Sequence, residues 1–325
     1  MAFQLPSLNL AGPSAAFAPW AGFMPMPQAE VFSAPATLAA KKRNVFLDHL
    51  FYDVGALTKP ELDQLTAERN IEGSILVVFP RGGDSEIRIR KFEDYETLRA
   101  APGRLLDRFV IAGVGSSDVG AAALARNLAD HCQQPVGAII AGYGIEDVLA
   151  EALGGWFVLG TVNRLMRVFH DREAAGRWVA DKFERADTSV GPRTAEAIAT
   201  VIAGSPDSAA LLRLLLDEER EIKTLLGHSK GCLSIADALE ALALGANRAA
   251  VEKARNIQIV TAGAVVEFPD GFENVHQYLG ALDWFGGLNS RPGEPRVTWP
   301  WAFHHLNTAF DYHMKIADIL ADAEQ

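Results

Sequence analysis

A serine between two glycines is the residue best suited to chemistry in this 325-residue chain. Ser229 stands in the run Gly227-His228-Ser229-Lys230-Gly231, after an apolar stretch and before a segment with helical spacing. A serine at a strand-to-helix turn sits on strained backbone with its hydroxyl above the sheet, and the glycines let neighbouring backbone pass close by. The pattern predicts a strand over 222–226, a nucleophile at Ser229 and a helix over 233–244.

A serine hydroxyl is a weak nucleophile, so it needs a base, a residue that orients the base, and donors for the developing oxyanion. Asp283 ends a predicted strand over 274–282, and His304 and His305 precede the last predicted helix, over 307–320. Groups at the carboxyl ends of parallel strands meet at one edge of the sheet. The chain therefore carries candidate nucleophile, acid and base in the order Ser, Asp, His.

Two assignments within this set stay open at the level of sequence. We prefer His305 as the base and keep His304 as the alternative, because the two histidines are adjacent. Asp283 is the preferred acid, and Asp270 in the preceding connection is its rival.

The elbow and the order of these residues resemble the α/β-hydrolase superfamily, in particular a lipase-like branch whose elbow reads Gly-His-Ser-x-Gly-Gly. Cys232 stands here in place of the second glycine of that branch. The resemblance implies an oxyanion hole made by the backbone N–H of Lys230 and by the glycine-rich turn at Gly115 and Ser116. The Lys230 side chain is expected in solvent.

The surrounding elements predict an α/β fold of the hydrolase type, with a mostly parallel central sheet flanked by helices. Residues 74–79 and 86–90 are typical of an antiparallel hairpin, and strands alternate with helices after it. The expected core comprises 45–144 and 206–325.

Strand and helix alternation stops within the predicted core, and apolar helical segments follow one another instead. This pattern predicts a helical lid over 145–205. Trp156 and Phe157 in this lid are expected to contact the acyl part of a substrate.

The first 44 residues form a separate, proline-rich and apolar tail. Residues 1–40 contain no lysine or arginine, and aromatic residues are scattered among their prolines. Such a tail either lacks fixed structure or lays its aromatic residues on an apolar surface, such as a lipid or a polymer granule.

The composition excludes several classes of function. A net charge of −11 argues against a nucleic-acid partner, because neutralising phosphates requires clustered lysine and arginine. Two cysteines in so long a chain do not make a disulfide framework and favour a reducing, cytoplasmic setting. The spacing of histidines, acids and cysteines matches no metal-ligand motif, so no metal or other cofactor is expected.

The sequence therefore predicts a serine hydrolase that cleaves carboxylic esters of lipid-like or hydroxyacyl (polyester) substrates through an acyl-enzyme. One alternative is a non-catalytic relative that serves as a binding or scaffold protein. A second is a nicotinamide-dependent oxidoreductase that uses the loop Gly113–Gly120. In that loop Asp118 stands where the third glycine of a dinucleotide motif belongs, and its charge would repel a pyrophosphate.

Overall fold

The computed structural model describes residues 47–67, 71–82, 87–102, 106–113, 116–141, 205–244, 247–288, 290–291 and 296–325. All of them belong to one compact unit, Arg43–Gln325. The predicted tail over 1–44 and the predicted lid, apart from residue 205, lie outside the described residues. Gly115, Trp156 and Phe157 lie outside them as well.

Eight described strands form a single, mostly parallel sheet, in the order β2-β1-β4-β3-β5-β6-β7-β8. The strands are β1 (Ile75–Val78), β2 (Ile89–Phe92), β3 (Arg108–Ile111), β4 (Val136–Ile139), β5 (Thr224–His228), β6 (Gln258–Ala262), β7 (Val275–Tyr278) and β8 (Val297–Thr298). Strand β1 pairs antiparallel with β2 and β4, and the other neighbours pair in parallel. The predicted hairpin followed by a mostly parallel α/β sheet is confirmed.

Helices cover both faces of this sheet. The described helices are α1 (Lys59–Ala67), α2 (Tyr95–Ala100), α3 (Asp118–Cys132), α4 (Pro206–Leu216), α5 (Lys230–Leu244), α6 (Arg248–Ala254), α7 (Trp284–Leu288) and α8 (Ile316–Ala323). A short helical segment over 47–51 and a 3₁₀ turn, Val54–Ala56, precede α1.

The side chains of each central strand divide between two apolar cores, because successive residues of a strand point to opposite faces. In β5, Leu226 packs in one core with residues of α3 and α8. Its neighbour Leu225 packs in the other core with residues of α4, α5 and α6. The sheet is thus buried on both faces, as its apolar strands predict.

The last helix begins later than the sequence pattern predicts. It starts at Ile316 instead of residue 307, and the segment before it forms turns. Tyr312 within these turns has a φ of 57°, a left-handed conformation that a right-handed helix cannot contain. Apolar residues of this irregular segment, such as Leu306 and Met314, are buried although they are not in a helix.

Across the described ranges, no helix combines the length and apolar character needed to cross a bilayer.

Candidate active site

Ser229 occupies a sharp turn between β5 and α5, which confirms the predicted strand, turn and helix. Its φ of 53° is left-handed, a strained conformation for a residue with a Cβ atom. A Cβ at Gly231 would lie 2.0 Å from the carbonyl oxygen of Ile111, and one at Gly227 would lie 2.8 Å from the backbone nitrogen of Cys232. Glycine at both positions is therefore a steric requirement of this turn.

Asp283 and His304 form a buried pair at the same edge of the sheet. His304 Nδ1 lies 2.7 Å from Asp283 Oδ2. The other carboxylate oxygen of Asp283 accepts a hydrogen bond of 2.6 Å from the N–H of Gly286 in α7. The carboxylate is thus held from two sides, and the bond at Nδ1 leaves Nε2 of His304 as the nitrogen that can exchange a proton with a nucleophile.

The His304 ring lies over the end of β6, directly beside the serine turn. Its Cε1 atom would be 2.9 Å from a Cβ at Gly263, a residue with a φ of +73°. Gly263 follows Ala262, which pairs with His228 in the parallel ladder and accepts a 2.9 Å hydrogen bond from the N–H of Ser229. Gly263 therefore provides the space that brings the imidazole next to the elbow.

The geometry pairs His304 with Asp283, and not His305, which the sequence analysis preferred as the base. His305 packs between aromatic rings, with its ring stacked on Phe303 and edge-to-face with Phe310. Its Nδ1 atom is buried and has no hydrogen-bond partner among the described residues. Burial also lowers the pKa of His305.

The rival acid Asp270 is exposed and lies in the connection that leads into the amino end of β7. The next residue, Gly271, is beside the guanidinium of Arg255, which precedes β6 and so marks the amino ends of the strands. The structure thus brings together Ser229, Asp283 and His304, and leaves Asp270 and His305 outside this set.

The loop after β3 was predicted to supply the second oxyanion donor, but its described N–H groups donate to other acceptors. The N–H of Ser116 donates to the carbonyl oxygen of Gly113 at 3.3 Å. The N–H of Ser117 donates to both oxygens of Asp48, at 3.1 and 3.2 Å. Ser116 is therefore not available as the donor in this conformation, and Gly115 stays a prediction.

Lys230 is the first residue of α5 and lies next to the nucleophile. The oxyanion role that the resemblance implies for its backbone N–H stays a prediction. The expectation of a solvated lysine is wrong, because the residue is buried with only 6% exposure.

Sequence reasoning missed three further residues at this edge: Asp48, Tyr52 and Gly263. The Tyr52 hydroxyl lies 3.0 Å from His228 Nδ1 and accepts a 2.6 Å bond from the N–H of Gly113. Asp48 and Tyr52 belong to a short segment that no chemical motif marks. The position of Gly263 directly after an apolar strand is the one sequence signal that could have identified it.

An apolar cleft of about 320 Å³ opens beside the Asp283–His304 pair. Leu50, Phe51, Trp284, Phe285 and Phe303 contribute to its walls. Two of these wall residues, Trp284 and Phe303, are large and exposed, and the exposed rings of Tyr312 and Phe310 lie beside Phe303 and His305. Grouped exposed apolar side chains of this kind mark binding surfaces. Over the described residues, no cluster of His, Cys, Asp and Glu is arranged to hold a metal ion.

The chain was also compared with protein-family models, with curated proteins and with solved structures, and none of the three comparisons finds a match.

The buried carboxylate of Asp48, which accepts from Ser117 in the loop after β3, should make the stability of the fold depend on pH. Burial raises the pKa of Asp48 to about 7, although hydrogen bonds from Ser117 oppose this. Because the folded-state pKa lies above the unfolded value of 3.8, folding takes up a proton between these values. This group therefore lowers the stability of the fold as pH rises from about 4 to 7, and its full cost remains at higher pH.

We expect Asp48→Asn to become more stable relative to wild type as pH rises through this window. The gain in the free energy of unfolding is at most about 1.4 kcal/mol per pH unit. Urea unfolding of both proteins at pH 5 and pH 8 measures it. Parallel pH dependence of the two proteins would show that Asp48 does not titrate there.

Proposed function

We propose that this protein is a serine hydrolase of the α/β-hydrolase type that cleaves carboxylic esters. The observation that carries the proposal is a buried His304–Asp283 pair beside a serine held at positive φ. Strained serine at a strand-to-helix turn is how this class exposes its nucleophile. The chain order Ser, Asp, His, in the connections that follow β5, β7 and β8, supports the same assignment.

In the proposed reaction, the Ser229 hydroxyl oxygen attacks the ester carbonyl carbon while His304 Nε2 takes up the hydroxyl proton. Asp283 keeps the Nδ1–H of His304 in place and stabilises the imidazolium that forms. The backbone N–H of Lys230 donates to the oxyanion of the tetrahedral intermediate. His304 then returns the proton to the leaving alcohol, and a water molecule activated by the same base releases the acid from Ser229.

The apolar cleft favours a substrate with an apolar acyl group, of the lipid-like or hydroxyacyl kind. The helical lid over 145–205, and the role of residues 1–40 at a lipid or polymer surface, stay predictions. Cys132 and Cys232 are both free thiols, which supports a cytoplasmic setting.

The geometry gives less support to a nicotinamide-dependent enzyme. A pyrophosphate would have to bind at the N-terminus of α3, where the buried carboxylate of Asp48 already accepts from Ser117. A pyrophosphate at this place would have to displace Asp48 from the N–H of Ser117.

Hydrolysis of p-nitrophenyl esters of increasing acyl length tests the proposed function. We expect turnover with an optimum at an apolar acyl chain, and a loss of about 10⁴-fold in kcat for Asp283→Asn, because the imidazole is then held in the wrong tautomer. Asp270→Asn is the matched control and should keep wild-type turnover. Equal losses in the two variants, or no hydrolysis of any ester by the folded wild type, would contradict the proposal.

A further inference from the structure

A chain of hydrogen bonds connects three loops at the carboxyl edge of the sheet, and Tyr52 lies at its centre. The Tyr52 hydroxyl joins the N–H of Gly113, after β3, to Nδ1 of His228, at the end of β5. On the far side of the ring, His228 Nε2 lies 3.0 Å from the carbonyl oxygen of His304. Tyr52 and His228 are both buried, with 3% and 1% exposure.

The proton positions in this chain follow from its acceptors. A carbonyl oxygen only accepts, so His228 Nε2 carries the hydrogen that bonds to His304. Burial lowers the pKa of His228 to about 3, so the ring is neutral and its Nδ1 is an acceptor. The Tyr52 hydroxyl must then donate to Nδ1, while its lone pair accepts from Gly113. Each of the three hydrogen bonds therefore has a defined donor and a defined acceptor.

We propose that Tyr52 is a positioning residue for the hydrolase: through His228 it fixes the backbone of His304 and so keeps the base aligned with Ser229. This inference rests on the proposed function. The hydroxyl also fixes the start of the loop after β3, so one side chain aligns the base, the elbow and that loop.

The segment that carries Tyr52 reinforces this role with backbone contacts. The carbonyl oxygen of Phe51 accepts a 2.7 Å bond from the N–H of Leu306, and that of His49 accepts a 2.5 Å bond from Asn307 Nδ2. The loop that follows His304 is therefore attached to the Tyr52 segment at several points. The hydroxyl of Tyr52 adds the link to the elbow.

Tyr52→Phe is the decisive substitution, because the ring still packs edge-to-face against His228 while the hydroxyl is lost. Without a donor at Nδ1, the His228 tautomer is no longer fixed, and the restraint on the His304 carbonyl weakens. A misplaced catalytic group slows the chemical step, so we expect kcat to fall about 10- to 100-fold with little change in KM. The rate of labelling by a fluorophosphonate should fall by the same factor.

Tyr278→Phe is the matched control. Tyr278 is equally buried, with 3% exposure, and its hydroxyl donates to Asp322 at 2.8 Å. The same chemical change is made there on β7, against α8, so kcat and the labelling rate should stay at wild-type values. Equal losses of kcat in the two tyrosine variants would show that the effect comes from lower overall stability, and this result would overturn the inference.

Substitution of His228 separates positioning from packing. In His228→Gln the side-chain amide can still donate to the His304 carbonyl, whereas His228→Ala has no donor. We expect kcat of the glutamine variant to be at least about ten-fold higher than kcat of the alanine variant. Equal activity of the two variants would overturn the inference.

Two readouts distinguish failure of this inference from failure of the proposed function. If Ser229 of wild type is labelled and Tyr52→Phe reacts at the wild-type rate, the inference falls and the hydrolase stands. If wild type is not labelled, the hydrolase falls, and NMR of ¹⁵N-histidine then tests the hydrogen-bond chain by itself. A neutral His228 with its proton on Nε2 at pH 6, changed by Tyr52→Phe, supports the chain, and a charged or Nδ1-protonated ring overturns it.

Discussion

Ser229→Ala should abolish ester hydrolysis while leaving the fold intact. Removal of the nucleophile in a serine hydrolase lowers kcat by about 10⁴- to 10⁶-fold, because the acyl-enzyme route is closed. Alanine has a Cβ atom like serine, so the strain at a φ of 53° is unchanged and the thermal midpoint should stay close to that of wild type. Steady-state kinetics and thermal unfolding of the same preparations measure both effects.

Ser229→Gly is the informative companion to this variant. Glycine relieves a left-handed strain of about 1–2 kcal/mol, offset in part by the greater freedom of glycine in the unfolded chain. The glycine variant should therefore be inactive and at least as stable as wild type. An alanine variant that retains wild-type hydrolysis would remove Ser229 from the mechanism.

The second large effect concerns the adjacent histidines, which should respond in opposite ways. His304→Ala should lose about 10⁴- to 10⁶-fold in kcat, as expected when the general base of a triad is removed. His305→Ala should keep kcat within about ten-fold of wild type, because that ring packs on Phe303 and Phe310 rather than on Asp283. Values of kcat for the two variants against one soluble ester decide between them.

Added imidazole provides the control for misfolding. A free imidazole can enter the cleft left beside Asp283 and act as a base, so it should restore part of the turnover of His304→Ala. It should restore none to Ser229→Ala. A larger loss in His305→Ala than in His304→Ala would contradict the assignment of the base.

The parts of the site that depend on local sequence could be predicted from the sequence. The elbow at Ser229 is one example, because a strand, two glycines and a helix within some 20 residues leave few other conformations. Asp283 could be placed because it follows an apolar run, although β7 ends at Tyr278 and not at residue 282, and a turn leads from it to Asp283.

Other parts depend on side-chain direction or on distant contacts, and sequence alone does not supply these. His304 and His305 are adjacent in an irregular segment with a bend at His304, so no periodic pattern could decide which ring faces Asp283. Tyr52 contacts His228, which is 176 residues away in the chain, and no local sequence pattern predicts that contact.

The proposed nucleophile can be tested by the reactivity of Ser229. The folded protein is treated with a fluorophosphonate, and the adduct is counted by intact mass and located by peptide mass spectrometry. We expect one adduct per chain on the peptide that contains Ser229, and none in Ser229→Ala. A folded wild-type protein that takes up no adduct, or takes it up on another residue, would contradict the proposed hydrolase.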